Sequence, residues 1–252
     1  MDAFTNLTKI ILFPLYFLIH RNIFFGFIHK NLIKNFNFKG FKIKLEINNI
    51  PLSSYSSFLF NTYEYNDRIL VEKYIDKKNK CVIIGGGIGF ISVLAYHKSR
   101  QSIVVSEINK KILKNLKNTL SYNSCKFKII KENLVIGPFK EKYSTFYLHK
   151  NFISTSKYIK TKDTEQTCKV KNVNIKKINN INIFNTLIID GEGIEEYFIE
   201  NISKLKHIKY IIFEIHHNIL NKKKVKNLFN ILISNKFKKV DKCFNSYYFK
   251  KI

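Results

Sequence analysis

The chain has 252 residues and a formal charge of +26, from 44 Lys and Arg against 18 Asp and Glu. That length suits one ordinary domain with a short appendage, and a 45% hydrophobic content with 23 Phe and 14 Tyr excludes a disordered chain. Four separated cysteines, with no CxxC and no His at zinc spacing, argue against a disulfide framework or a structural zinc and for a reducing, cytoplasmic compartment. The positive charge is carried by lysine, since only Arg21, Arg68 and Arg100 are arginines. The lysines are scattered and no recognition motif accompanies them. This speaks against nucleic-acid binding and for a solvated basic surface, one that an anionic surface would attract.

Residues 10–19 (IILFPLYFLI) and 23–28 (IFFGFI) are apolar runs separated by His20, Arg21 and Asn22. Neither reaches the roughly 20 residues needed to cross a bilayer, and joining them would bury Arg21 at its centre. Two readings stand for residues 10–28: a helix packed on the core, or an interfacial helix making a peripheral membrane contact, with Lys9, Lys30 and Lys34 at the head groups. Residues 39–50 alternate in part and predict a strand or hairpin. From about residue 61 strands and helices alternate. Strands are predicted at 80–84, 102–106, 127–130, 186–190 and 208–215, and helices at 90–98, 109–120 and 220–233. A closing strand pair falls within 240–249. Short, almost wholly apolar strands between helices indicate a mainly parallel sheet covered on both faces. Residues 132–176 break the rhythm and predict an inserted hairpin at 144–149 within a lysine-rich excursion. The chain thus divides into an apolar and basic segment, 1–60, and a domain, 61–252.

The turn after the first of these strands reads Gly85-Gly86-Gly87-Ile88-Gly89-Phe90. A dinucleotide fingerprint needs Gly at position 90, and Phe90 stands there. Gly85, Gly87 and Gly89 form GxGxG instead, the spacing of a loop that wraps the methionine part of S-adenosylmethionine. An unadorned tight turn is the simpler alternative. Glu107 ends the next strand, where a carboxylate can accept hydrogen bonds from both ribose hydroxyls of a nucleoside; it could equally serve the dipole of the helix that follows.

Asp190-Gly191-Glu192-Gly193-Ile194-Glu195 follows the strand NTLII. In an open sheet that begins in its middle, this strand lies beside the one carrying the glycine turn, so Asp190 would face that turn across the cleft. Acids at a helix start are common and explain Glu195 well, but Asp190 ends the strand. Glu214 and His216 in Phe213-Glu214-Ile215-His216-His217 point to the same rim.

This ordered set resembles the FkbM-type methyltransferases, a branch of the class I S-adenosylmethionine-dependent enzymes, over residues 61–215. Tyr63-Glu64 is similar to the family's YE pair, and Gly85 to Phe90 to its G-A-N-I-G and following aromatic. Glu107 matches an E-P position in which Ile108 replaces Pro. Leu116, Asn118 and Asn123 match L-x-N-x-x-x-x-N. Ile189 to Glu195 resembles I-D-V-E-G-A-E, and Phe213 to His216 resembles I-E-V-H. Two departures stand out: Ile83 where the family has Asp, and Ile188 where it has Lys. Loss of the acid at 83 would weaken the hold on the cofactor's ammonium unless Glu64 substitutes.

The resemblance implies a Rossmann-like class I methyltransferase fold, α/β, with a mainly parallel seven-stranded sheet and helices on both faces. It implies S-adenosylmethionine as cofactor, bound by Glu64, Gly85, Gly87, Gly89, Glu107 and Asn133; the residues themselves show no metal motif and leave a carboxylate-bound divalent ion open. The acceptor would be a hydroxyl of a sugar, glycan or secondary metabolite. Asp190 or His216 would be the base, with Glu192 and Glu195 orienting the acceptor or each other. The rival from another class is a degenerate, non-catalytic Rossmann-like module that binds a membrane or glycan-assembly partner. An NAD-dependent oxidoreductase would leave Phe90 and the DGEGIE cluster unexplained.

Overall fold

The computed structural model describes residues 23–32, 35–45, 50–136, 141–149, 155–156, 164–178, 181–191, 193–217 and 219–252. The apolar run at 10–19 and Glu192 lie outside them. The N-terminal elements are helix α1 (Ile23–Leu32), the hairpin β1 (Asn35–Phe38) and β2 (Phe41–Lys44), and helix α2 (Leu52–Leu59). The alternating part follows: α3 (Tyr65–Tyr74), β3 (Cys81–Ile84), α4 (Phe90–Ser99), β4 (Ile103–Ser106), α5 (Leu113–Tyr122) and β5 (Phe127–Ile130). An insertion contributes β6 (Asn133–Val135), β7 (Tyr143–His149), β8 (Thr155–Ser156) and β9 (Thr164–Asn174). The chain closes with β10 (Thr186–Ile189), α6 (Ile194–Glu200), β11 (Tyr210–Glu214), α7 (Lys222–Ser234), β12 (Phe237–Cys243) and β13 (Ser246–Lys251).

Seven strands form one sheet in the order β12-β13-β11-β10-β3-β4-β5. The run from β11 through β5 is parallel, and β13 pairs antiparallel with both β11 and β12. This is the α/β, Rossmann-like sheet expected from the alternation of elements. β3 and β10 are its central neighbours, and the chain order reverses between them.

The side chains of each central strand alternate between two cores because the strand period is two. Val82, Ile84, Leu187 and Ile189 pack with Phe198, Leu228 and Leu232 of α6 and α7. Cys81, Ile83, Val105 and Ile188 pack on the other face with Leu70, Phe90, Leu94 and Leu116 of α3, α4 and α5. Covering both faces is why these strands carry almost no polar residue.

Three boundaries differ from those predicted. The N-terminal hairpin turns at Lys39 and Gly40 (φ 52° and 83°), so its first strand precedes residue 39. A two-residue turn with both φ positive matches the right-handed twist of the flanking strands. Helix α5 starts at Leu113 rather than Asn109, because the Asn109 side chain accepts the Lys111 amide and closes a local turn first. The insertion is a four-stranded sheet in the order β6-β9-β7-β8, larger than the single hairpin expected.

The N-terminal hairpin packs on the domain. Phe38 is buried against Phe58, Tyr63 and Phe90, with ring centroids 4.7–6.5 Å apart. Asn123, at the end of α5, accepts the Lys42 amide and donates to the Lys42 carbonyl. On α1, by contrast, Ile23, Phe24 and Phe27 are exposed. Among the described residues no helix is long and apolar enough to cross a membrane.

Ile83 and Ile188 are register partners on β3 and β10, each 1% exposed. The two departures from the family pattern therefore occupy one place: an apolar cross-strand pair stands where an Asp–Lys pair would. Replacing a buried ion pair by packed apolar side chains is often neutral or stabilising, whereas half of such a pair leaves an unpaired buried charge. Ile83→Asp alone should lower stability by about 3 kcal/mol or more, and adding Ile188→Lys should recover part of that loss. Urea unfolding of the two single variants and the double variant measures the coupling, which should be favourable.

Candidate functional site

The site begins with two backbone turns that touch. Parallel pairing of β3 with β10 brings the turn after Ile84 beside the turn after Ile189, and the Asp190 amide donates to the Ile84 carbonyl at 2.9 Å. A Cβ on Gly85 would lie 1.8 Å from the Asp190 carbonyl oxygen, and Gly85 has φ +85°. No other residue fits there. The glycine turn is anchored on its far side by β4, whose Ser106 carbonyl accepts the Gly85 and Gly86 amides.

Glu107 follows β4 and is 6% exposed. One of its oxygens accepts the Gly87 amide at 2.9 Å and the other accepts the Asn109 amide at 2.8 Å. Its carboxylate thus fixes the glycine turn while keeping lone pairs for a further ligand. Burial raises the Glu107 pKa to about 7, against the lowering effect of those backbone donors.

These groups enclose a cavity of about 210 Å³ beyond the C-terminal ends of β3, β4 and β10. Glu64, Gly85, Gly87, Glu107, Asn133, Asp190 and His216 all line it, so the structure brings together the greater part of the predicted set. Gly89 does not line it. It caps α4 with φ +97° and faces Leu116 and Thr119, which makes it a helix-start glycine. Asn133 lines the wall but donates its side-chain amide to Asn172 at 2.7 Å, tying β6 to β9.

Glu64 sits just before α3 with φ 46°, a strained backbone for a residue other than glycine. Its Oε1 lies 3.6 Å from where a Gly87 Cβ would be, and its Oε2 is buried without a hydrogen-bond partner. Burial first, and the charge of Asp67 next, raise its pKa to about 8. Ile83 does not reach the cavity, so Glu64 is the acid nearest the glycine turn from that side.

The opposite wall is a carboxylate cluster around one imidazole. Nε2 of His216 lies 3.6 Å from Oδ1 of Asp190 and 3.9 Å from Oε2 of Glu214, and its Nδ1 lies 3.2 Å from Oε1 of Glu195. Glu195 itself is fully buried, because its carboxylate folds back to accept the Gly191 and Gly193 amides at 3.1 and 2.7 Å. It shapes the turn and holds His216, and it does not line the cavity. Burial would lower the His216 pKa, but Glu195, Asp190 and Glu214 outweigh it and push it up to about 10. The surrounding carboxylates thus favour the protonated imidazole. The Asp190 pKa is raised by burial and by Glu214 and Asp67.

Two contributors, Phe146 and Asp67, escaped the sequence reading, and Tyr63 stood in it only as half of the Tyr63-Glu64 pair. Phe146 of β7 forms a wall of the cavity, although its alternating strand carried only a hairpin signal. Tyr63 lines the cavity and stacks on Phe58 with centroids 4.1 Å apart. Asp67 is 3% exposed on α3, and a polar residue at helical spacing gives no warning of burial.

No family model and no curated protein matches the chain. Solved structures similar to it include a putative transferase from Pyrococcus horikoshii, at 11% identity over 85% of this chain and 68% of that one, with a TM-score of 0.48. A second is TYW2 of M. jannaschii in complex with AdoMet, at 11% identity over 86% of each chain, TM-score 0.45. A third is the ribosomal protein L11 methylase of Lactobacillus delbrueckii subsp. bulgaricus, at 12% identity over 74% of this chain and 77% of that one, TM-score 0.45. Likenesses of this size do not carry a function, which has to rest on the cavity.

The raised acids make a prediction about pH. Glu64 at about 8, Asp67 at about 7 and Glu107 at about 7 all lie above their ordinary values, so the folded chain keeps protons that the unfolded chain has released. Their contribution to stability is complete below about pH 4 and is lost as pH rises through 7 to 8. The melting temperature should fall between pH 5.5 and pH 8, and the fall should be smaller in Glu64→Gln, measured by circular dichroism at constant ionic strength.

Proposed function

We propose that the protein is an S-adenosylmethionine-dependent methyltransferase of the FkbM type, acting on a hydroxyl of a sugar, glycan or secondary metabolite. The observation that supports it is the convergence of a bare glycine turn and two flanking acids, Glu64 and Glu107, on one cavity between the central strands. The residues fit such a cofactor. Gly87 carries no side chain toward Glu64, whose unpartnered oxygen can take an ammonium. Glu107 stands where a ribose diol would be held. The excess of carboxylate charge suits a ligand that is itself a cation.

When bound, the cofactor supplies a methyl group already activated by its sulfonium. The chain then has to hold an acceptor oxygen in line with that methyl, at about 3–3.5 Å, and take up a proton. Asp190 is the proton acceptor in this scheme. His216, ion-paired with Glu195, lies beside Asp190 at 3.6 Å as its charge partner. The hydroxyl proton of the acceptor would pass to Asp190 as the methyl group is transferred. His216 favours the ionised form of Asp190, while burial and the charges of Glu214 and Asp67 outweigh it and raise the carboxylate's affinity for a proton. Phe146, from the insertion, supplies an apolar part of the cavity wall.

Titration calorimetry with S-adenosylmethionine tests the cofactor site. Glu107→Ala should bind about tenfold to a hundredfold more weakly, from loss of charge-assisted hydrogen bonds. Equal affinity in both proteins, or no binding to either, would reject the assignment and favour a non-catalytic module. We further propose that residues 10–28 make a peripheral membrane contact, a reading supported by the exposed Ile23, Phe24 and Phe27 at the end of this stretch. The intact chain should float with anionic liposomes, and deletion of residues 10–28 should abolish flotation.

A further inference from the structure

Asp190, Glu214 and His216 each offer one donor atom beside the cavity, and these atoms all lie within 4.8 Å of one another; the shortest Asp190 and Glu214 approaches to Nε2 of His216 are from Oδ1 and Oε2. The imidazole nitrogen is 3.6 Å from the first oxygen and 3.9 Å from the second, beyond hydrogen-bonding length in both cases. The imidazole is within ion-pair reach of both carboxylates but too far for a hydrogen bond to either, which leaves room for an ion among the three. An ion about 2.1 Å from each donor places adjacent donors of an octahedron about 3.0 Å apart and opposite ones about 4.2 Å apart. Binding would draw the two carboxylate oxygens toward the imidazole nitrogen by roughly 0.6 and 0.9 Å, within reach of side-chain adjustment. We infer that Asp190, Glu214 and His216 bind a divalent first-row cation, which takes the place of the Nε2 proton of His216 and releases it to solvent.

Two further observations point the same way. His216 offers Nε2 to the point of convergence while its Nδ1 faces Glu195 at 3.2 Å. A carboxylate behind the distal nitrogen is how proteins orient a metal-ligating imidazole, and Glu195 is in turn fixed by two backbone amides. Behind Glu214, Asp67 is 3% exposed, its Oδ1 has no hydrogen-bond partner, and its charge acts on Glu214 and His216. A buried carboxyl oxygen without a partner beside these donors is a group whose ionised form a bound cation would stabilise. The donor set of two carboxylates and one imidazole, with further positions open to the cavity, suits Mn²⁺ and its neighbours better than a closed structural zinc.

The ion site goes beyond the methyl-transfer reading and does not depend on it, because none of its donors is the glycine turn, Glu64 or Glu107. Where that reading holds, the ion would bind the acceptor oxygen and lower its pKa, and the released proton would pass to the second oxygen of Asp190.

Mn²⁺ binding to the full chain, followed by the loss of the free-ion electron paramagnetic resonance signal, tests the site without cofactor or acceptor. One Mn²⁺ should bind per chain. Glu214→Gln and Asp190→Asn should each weaken binding at least tenfold, and Glu200→Gln, an exposed acid elsewhere, should leave it unchanged. Electron spin-echo modulation on the wild-type complex should show one imidazole nitrogen coupled to the ion, a readout that needs no variant to fold. Absence of binding at about 1 mM Mn²⁺, equal affinity in all four proteins, or no nitrogen coupling would overturn the inference. S-adenosylmethionine binding without Mn²⁺ binding would defeat the ion site alone, and the reverse result would defeat the cofactor assignment alone.

Discussion

The backbone contact between Gly85 and Asp190 governs the rest of the molecule's working end. It exists because β3 and β10 pair in parallel at the centre of the sheet, so that both strands finish at the same edge and their turns meet. A side chain at position 85 would push the turns apart. With them in contact, the Glu107 carboxylate can reach the Gly87 amide from one side while Asp190 faces the cavity from the other. One steric constraint therefore sets the positions of groups that are more than 80 residues apart in the chain.

The electrostatics of this edge oppose those of the whole protein. A chain of formal charge +26 gathers Glu64, Asp67, Glu107, Asp190, Glu195 and Glu214 around a single imidazole and a small cavity. Glu107 and Glu195 are satisfied by backbone amides, as buried carboxylates must be. Glu64 and Asp67 each keep a buried oxygen without a partner. Such groups cost stability, and native proteins retain them where a ligand will complete the bonding. The same cluster explains why His216 holds its proton: three carboxylates outweigh its burial.

The departures at Ile83 and Ile188 look alarming when taken singly, since each removes a charge that the resembled family keeps. In space they are one pair in the core beneath the cavity, packed on the α3–α5 side of the sheet. Apolar partners across adjacent strands restore in packing what the charged pair would supply by attraction. The cavity keeps an acid of its own in Glu64, delivered by a strained turn before α3.

The sequence by itself determined the kind of fold. Runs such as CVII, IVVS and TLII have one physical solution, a strand covered on both faces, and the glycine turn and the acid at each strand end mark the edge where a ligand binds. Gly85, Glu107, Asp190 and His216 were legible for that reason: each sits at a strand terminus, where local pattern and position in the fold coincide. Tertiary structure alone decided which acids are buried, because burial depends on what packs across from a residue and not on its neighbours in the chain. Asp67 lies on an ordinary polar spacing of α3, Phe146 comes from an insertion with no clear period, and Glu195 reads as a helix-start acid until its carboxylate is seen folded onto the Gly191 and Gly193 amides. Only the paired register of β3 with β10 could turn two apparent losses, at Ile83 and Ile188, into a single contact between adjacent strands.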